Sequence, residues 1–355
     1  MTFNGMITRR NALKLAGAAG AALSFPTILR AQAAPELVTL RSTSKSWLWA
    51  AEDYATAGGF FEQAGVKVTS NASNRGTNIA ALQGGGVDIV LGDPGEALRG
   101  RASNLKIRII ASMVNRYASH VVLKKTVLSE KGVTQESPLA DKVAALKGLK
   151  LGTTGPGAAP DALFRYLANE GGLDPNSDFQ LVPVQGGGPA VLAALQQGVI
   201  DGFCLSSPTA DMAVARQECD YLFQMVLNPP PFMSEVQYIC ASAGEETIAN
   251  KRDALVRYCK GLALSMQSIA QEHDKFKEWA KGWFEGIEPQ IFDTAFKNNG
   301  SIYFDAPLPR EDLFAKNIEF INIVNGKMGA APLPGSLDFA SVVDPSMADE
   351  AIKGL

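Results

Sequence analysis

One pattern occurs twice in this chain. Residues 80–94 read AALQGGGVDIVLGDP and residues 193–208 read AALQQGVIDGFCLSSP. Each copy has an Ala/Leu/Gln helix end, a glycine stop, an aspartate, an apolar strand and a Pro-started helix. Asp88 and Asp201 hold the same place, 113 residues apart. That period is too long for a solenoid and suits two similar α/β lobes. The flanks agree: a strand at 37–43 turns into a helix from Trp47, and a strand at 149–154 turns into a helix from Ala158. Two similar lobes imply a cleft between them.

The N-terminus sets the compartment. Thr8-Arg9-Arg10-Asn11-Ala12-Leu13-Lys14 precedes an apolar Gly/Ala-rich run that ends at Ala31-Gln32-Ala33. This reads as a twin-arginine export signal, residues 1–33, cleaved near Ala33. The apolar run is broken by Pro26 and followed by Arg30, too short to span a bilayer. The leader holds Arg9, Arg10, Lys14 and Arg30 and no acid, so its removal takes the formal charge from −3 to −7. A mature chain this acidic is not expected to bind nucleic acid or an anionic membrane. The expectation is a monomer in the periplasm. Cys204, Cys219, Cys240 and Cys259 contain no C-x-x-C pair, and the apolar runs around Cys204 and Cys240 favour buried thiols over disulfides.

Along the first lobe, strands are expected near 37–43, 66–70, 87–91 and 107–113. One helix is expected over 47–61 and others end at Gly84 and start at Pro94. The short continuous apolar runs suggest parallel strands buried on both faces. An extended segment, 120–124, leads into the second lobe, whose strands fall near 150–153, 181–184, 200–205 and 222–227. Pro229-Pro230-Pro231 marks a second crossing. The helix over 253–272 places Leu255, Val256, Cys259, Leu262, Met266 and Ile269 on one stripe. The expected architecture is two doubly wound α/β lobes on a two-segment hinge. Lobe I takes 34–118 and 229–355, including the C-terminal helices; lobe II takes 119–228.

In open α/β sheets, ligands bind beyond the carboxyl ends of the strands. Six loops there are small, hydroxylated or glycine-rich, and each precedes a helix whose free N–H groups suit an anion. They nominate Ser44, Asp93, Thr154, Gly155, Gly157, Ala158, Gln185, Ser206 and Ser207. Trp47 and Phe232 are candidates for an apolar wall, with Trp49 read as core, and Arg75 for an ionic partner. Gly155-Pro156-Gly157 lacks the third glycine of a dinucleotide fingerprint, and no Gly-Lys-Ser/Thr follows. With only His120 and His273, no metal-ligand spacing or nucleophile elbow emerges, and Cys204 with His120 is the only conceivable nucleophile–base pair. No cofactor or metal is expected, and no enzymatic activity.

The ordered motifs Gly-Gly-Phe-Phe…Gly-Val-Lys-Val, Leu-Gln-Gly-Gly-Gly-Val-Asp-Ile…Gly-Asp, Leu-Lys-Gly-Leu-Lys-Leu-Gly-Thr-Thr-Gly and Val-Val-Asp-Pro-Ser-Met-Ala-Asp-Glu-Ala resemble those of the nitrate/sulfonate/taurine-binding proteins of ABC importers. That superfamily includes the thiamine-pyrimidine precursor proteins. The resemblance covers roughly residues 37–350. It implies a type II periplasmic binding protein that closes on one small organic anion or heteroaromatic ligand and delivers it to a permease and its ATPase. By family position Ser44, Trp47, Asp93, Thr154, Gly155, Gly157, Ala158 and Ser206 line the cleft. Asp93 disfavours a bare anion and suggests a ligand that also carries a donor. Two alternatives stay open: an enzyme of the same fold (desulfinase-like or pyrimidine-synthase-like), and a binding partner of a membrane sensor.

Overall fold

The repeated aspartates explain the repeat. Asp88 Oδ2 accepts the backbone N–H of Val38 at 3.0 Å, while its own N–H donates to the Val38 carbonyl. Asp201 does the same with Lys150, its Oδ2 accepting the N–H at 2.8 Å. Each aspartate ties the start of the strand that follows it to the neighbouring parallel strand, fixing the register that puts the strand ends side by side.

The structure, a computed structural model, describes residues 33–42, 45–73, 78–216, 219–353 and 355. The expected signal peptide, bar Ala33, and the candidates Ser44 and Arg75 lie outside the described residues. Two five-stranded sheets follow one plan. The first has the order β2-β1-β3-β10-β4, built from β1 (Glu36–Arg41), β2 (Lys67–Ala72), β3 (Ile89–Gly92), β4 (Ile107–Val114) and β10 (Ile239–Gly244). The second has the order β7-β6-β8-β5-β9, from β5 (Ser119–Lys124), β6 (Lys150–Thr153), β7 (Gln180–Pro183), β8 (Gly202–Ser206) and β9 (Cys219–Phe223). In each sheet the first three strands are parallel, and the fourth in the row, β10 or β5, runs antiparallel to both neighbours.

That antiparallel strand joins the parallel strands expected from the apolar runs. β5 and β10 are the strands that follow the two crossings between sheets, so each enters its new sheet from the cleft side and runs backwards. The continuous apolar character of β3, β4, β5 and β8 is as expected for strands covered on both faces, and their core residues are buried throughout.

The expected helix over 47–61 is broken. Trp47–Trp49 is a 3-10 turn, Ala50–Ala57 an α-helix, and Phe60–Gln63 a separate turn of helix. Gly59 sits at φ 72°, a left-handed conformation that ends the run cheaply only for glycine. The long helix Glu245–Gln271 buries the expected stripe with Tyr258 added, and leaves Val256 half-buried. It packs on the first sheet's helices Ala50–Ala57 and Phe60–Gln63. Not every C-terminal helix follows it. Pro289–Asn299 touches Thr209–Arg216 of the second sheet, and Glu311–Lys327 touches both Pro94–Ala102 and Ala159–Glu170. These helices bridge the lobes because their apolar stripes find surface on both. All four cysteines are buried, and Cys204, Cys240 and Cys259 are free thiols.

Candidate functional site

A cleft of about 630 Å³ lies between the carboxyl ends of the two sheets. Its first wall starts where β3 ends. Asp93 follows Gly92 and precedes Pro94, whose fixed φ and absent N–H suit the first position of the helix Pro94–Ala102. One turn on is Glu96, two turns on is Arg99, and all three side chains face the cleft. Arg99 Nη2 donates to the carbonyl of Gly157 across the cleft at 2.9 Å and lies 3.9 Å from Asp93 Oδ1. Burial raises the carboxyl of Asp93 above its usual range, with Arg99 opposing. Glu96 is pushed up to about 8, by burial first and by the charge of Asp93 second.

The second wall is glycine-rich loop. Gly155 and Gly157 have φ of 151° and 74°, so their backbone turns where a side chain would be strained. The N–H of Gly157 donates to Asp161 Oδ2 at 3.0 Å, and Asp161 is held in turn by Arg165 Nε at 2.8 Å. Asp161 therefore fastens the loop to the first turn of the helix Ala159–Glu170. Gln185 Nε2 donates to the Thr154 carbonyl at 3.2 Å, joining this loop to the one before the helix Gly187–Gln196. Both helices point their N-termini, with unpaired backbone N–H groups, toward the cleft.

The back of the cleft is made by the crossings. Ser119, at the start of β5, and Tyr238, just before β10, share a hydrogen bond of 2.7 Å between Oγ and the phenol oxygen. Ser46 Oγ and Ser206 Oγ close one side at 2.8 Å.

Of the residues nominated from sequence, Asp93, Thr154, Gly155, Gly157, Ala158, Gln185 and Ser206 line this cleft. Three others do not. Trp47 is fully buried among Phe276, Phe284, Phe292 and Phe296, so it is core and not wall. Its neighbour Trp49 is buried in the core as expected, and it also borders the cleft. Ser207 is fully buried: its Oγ accepts from Asn299 Nδ2 at 2.8 Å and its carbonyl accepts from Ser46 Oγ and the Trp47 N–H. Phe232 stacks on Tyr166 away from the cleft, at 5.4 Å between ring centroids. Glu96, Arg99, Ser119 and Tyr238 escaped the sequence reading. The Asp-x-x-Glu-x-x-Arg spacing after a strand was the available signal, since it places three charges on one helical face.

The imagined Cys204–His120 pair is not made. They lie on adjacent strands, but Cys204 faces Val121 in the register and both are buried outside the cleft. Neither ring nitrogen of His120 makes a full hydrogen bond. Burial raises the Cys204 thiol far above its usual value. Among the described residues no group of His, Cys, Asp and Glu is arranged to hold a metal ion, and no helix is long and apolar enough to cross a membrane.

Two α/β sheets of this order, joined by two crossings around one cleft, define the fold of the periplasmic binding proteins. A model of the NMT1-like family matches residues 53–223. The chain is 34% identical to the nitrate/nitrite binding protein NrtA of Synechococcus elongatus over 103 residues, 28% of this chain and 23% of that protein. It is 27% identical to the nitrate import ATP-binding protein NrtC of Synechocystis over 145 residues, 40% of this chain and 21% of that one. The chain thus spans less than a quarter of the length of these curated relatives. Among solved structures, the periplasmic nitrate-binding protein NrtA from Synechocystis superposes with a TM-score of 0.68 at 18% identity, covering 90% of this chain and 89% of that one. The alkanesulfonate-binding protein SsuA from Xanthomonas axonopodis bound to MOPS gives 0.68 at 12%, covering 88% and 99%. The desulfurization enzyme DSZB also shares the fold, at 0.61 and 12%, covering 90% and 99%. By these likenesses the chain has the periplasmic-binding-protein fold and is similar, over part of its length, to nitrate- and sulfonate-binding proteins.

Proposed function

We propose that this chain is the solute-binding component of an ABC uptake system, exported by its twin-arginine leader and working as a monomer in the periplasm. It captures a small organic anion, such as a sulfonate or aromatic acid, or a heteroaromatic ligand, and delivers it to a permease and its ATPase. The lobes are assigned to 34–118 with 229–355, and to 119–228. The observation that carries this reading is the cleft itself: about 630 Å³ between two sheets whose only covalent links are two chain crossings. A cleft of that size suits a small organic ligand. Contacts from both walls would make closure more favourable with ligand than without it, which is the requirement for a ligand-driven hinge.

Each site residue then has a task. Asp93, Glu96 and Arg99 present charge from one lobe. Thr154, Gly155, Gly157, Ala158 and Gln185 present backbone and amide groups from the other, and Ser206 joins the two. Ser44 and Arg75, outside the described residues, complete the proposed set.

The likeness to a desulfurization enzyme supports a second reading, catalysis in the same cleft. The described residues that line it include no Cys or His to serve as nucleophile or base, which favours capture over conversion. A thermal-shift screen of the mature protein against nitrate, sulfonates, aromatic carboxylates and pyrimidines tests both. A ligand at 100-fold its Kd adds about 2.7 kcal/mol of stability. Recovery of the ligand unchanged by mass spectrometry supports binding; recovery as product supports the enzyme.

A further inference from the structure

Apart from Tyr238, the ionisable side chains among the described residues of the cleft are Asp93, Glu96 and Arg99. Arg99 is already engaged, with Gly157 and Asp93. Glu96 is not: its Oε2 is buried and accepts no hydrogen bond. An Asp at the N-cap with a Glu at the third helical position is the sequence of a capping box, but this helix start has no side-chain capping bond. The backbone instead makes room for the two carboxyls. A Cβ at Gly92 would stand 2.7 Å from Glu96 Oε2, and one at Gly95 would stand 2.6 Å from Asp93 Oδ1 and 2.9 Å from Arg99 Nη1. Two carboxyl groups are thus packed side by side with one oxygen left without a donor, at the wall of a cavity.

A buried acceptor without a donor is unfavourable, and a ligand N–H would remove the deficit. A bare oxyanion would worsen it, by repulsion from Asp93. Such an ion would also leave most of the cleft unfilled, since 630 Å³ corresponds to roughly 20 waters. The opposite wall has the complementary character, with the N-terminus of Gly187–Gln196 and the glycine loop before Ala159 offering N–H groups.

We propose that Asp93 and Glu96 form a nitrogen-recognising subsite, so that the captured solute docks an amine, amidine or amino-substituted heteroaromatic group there and its acceptor end on the second lobe. The proposal rests on the solute-binding reading above and narrows its ligand class. The raised Glu96 carboxyl adds a signature: a cationic amine docking at neutral pH displaces its proton.

The test is a retention assay on the mature protein with matched probes: taurine and ethanesulfonate, aminopyrimidine and pyrimidine, para-aminobenzoate and benzoate, and nitrate. Bound compounds are identified by mass spectrometry and their affinities measured by calorimetry in two buffers of different ionisation enthalpy. The expected result is retention of an amino member over its partner, proton release when that member is cationic, and affinity about tenfold lower or worse in Glu96→Ala, the loss of one charge-assisted bond. Glu96→Gln, which keeps the side chain's volume, guards against a misfolded alanine variant and should weaken binding and abolish the proton release. A des-amino partner or nitrate bound as tightly as the amino compound, or a folded Glu96 variant of unchanged affinity, overturns the proposal and leaves solute binding intact. Retention of no probe at all counts against the solute-binding reading itself, and the subsite falls with it.

Discussion

Ser46 and Ser206 stand 160 residues apart in the chain and meet Oγ to Oγ at 2.8 Å, one from each lobe. Ser46 also donates to the Ser207 carbonyl at 3.3 Å, and its Oγ caps the Trp47 turn by accepting from the Leu48 N–H. One hydroxyl thus ties the helix start of the first lobe to the strand end of the second. Removing it from the Ser206 side leaves the cap intact. In Ser206→Ala the net loss is about 1 kcal/mol of interlobe attraction, or roughly fivefold in the closed-to-open ratio. Ligand affinity should drop by a similar factor and small-angle scattering should report a more open protein, with the melting temperature of the ligand-free protein nearly unchanged. An unaltered affinity would place closure under the control of other contacts.

Gly157 tests the second wall. At φ 74° any other residue is strained, and a Cβ there would meet no atom within 4 Å. Gly157→Ala should therefore lose only about 1–2 kcal/mol of stability, the cost of a left-handed non-glycine residue. Gly157→Leu adds a side chain to a residue that lines the cleft and should reduce ligand-induced thermal shifts well beyond the alanine variant. Equal ligand responses in the two would move the ligand away from this loop.

Trp47 tests the opposite role. Its ring packs on four phenylalanines, and its carbonyl accepts the Tyr303 hydroxyl at 2.7 Å. Trp47→Ala should cost about 3–5 kcal/mol by denaturant titration, while the fraction still folded binds ligand with ordinary affinity. A stable variant with weakened binding would return Trp47 to the cleft.

The contrast between these residues shows what the chain discloses. Asp88 and Asp201 were legible because a repeat fixes a repeated backbone bond, and the loops followed from where parallel strands end. The antiparallel β5 and β10 were hidden because their apolar runs look alike in either direction. Trp47 was misplaced because the rings that bury it, Phe276, Phe284, Phe292 and Phe296, lie more than 200 residues further along the chain, and no local pattern announces them. Glu96 stayed hidden for a different reason. Asp-x-x-Glu at a helix start reads as a cap, and only the unpaired oxygen in three dimensions sets it apart.

His120 gives the pH test. It is fully buried on β5, with Asp211 and Asn299 nearby, the Tyr221 ring at 5.5 Å and no full hydrogen bond to either nitrogen. Burial is the main cause that lowers its folded pKa below the ordinary 6.5, with Asp211 opposing. Below pH 6.5 the unfolded chain binds a proton that the folded chain refuses. Stability contributed by neutral His120 is therefore complete above 6.5 and lost as pH falls toward the folded value, with a limiting slope of about 1.4 kcal/mol per pH unit. Glu96 works the other way. Its folded pKa of about 8 lies above the ordinary 4.5, so the folded state holds the extra proton and is favoured as pH falls from 8. Between pH 8 and 6.5 only Glu96 contributes a slope; below 6.5 the two oppose each other, and the raw stability of the wild type can look flat there. Variants separate them. In denaturant titrations at pH 7.5 and 5.5, His120→Phe should lose less stability on acidification than the wild type, and Glu96→Gln should lose more. If both variants track the wild-type change, neither group titrates differently on folding.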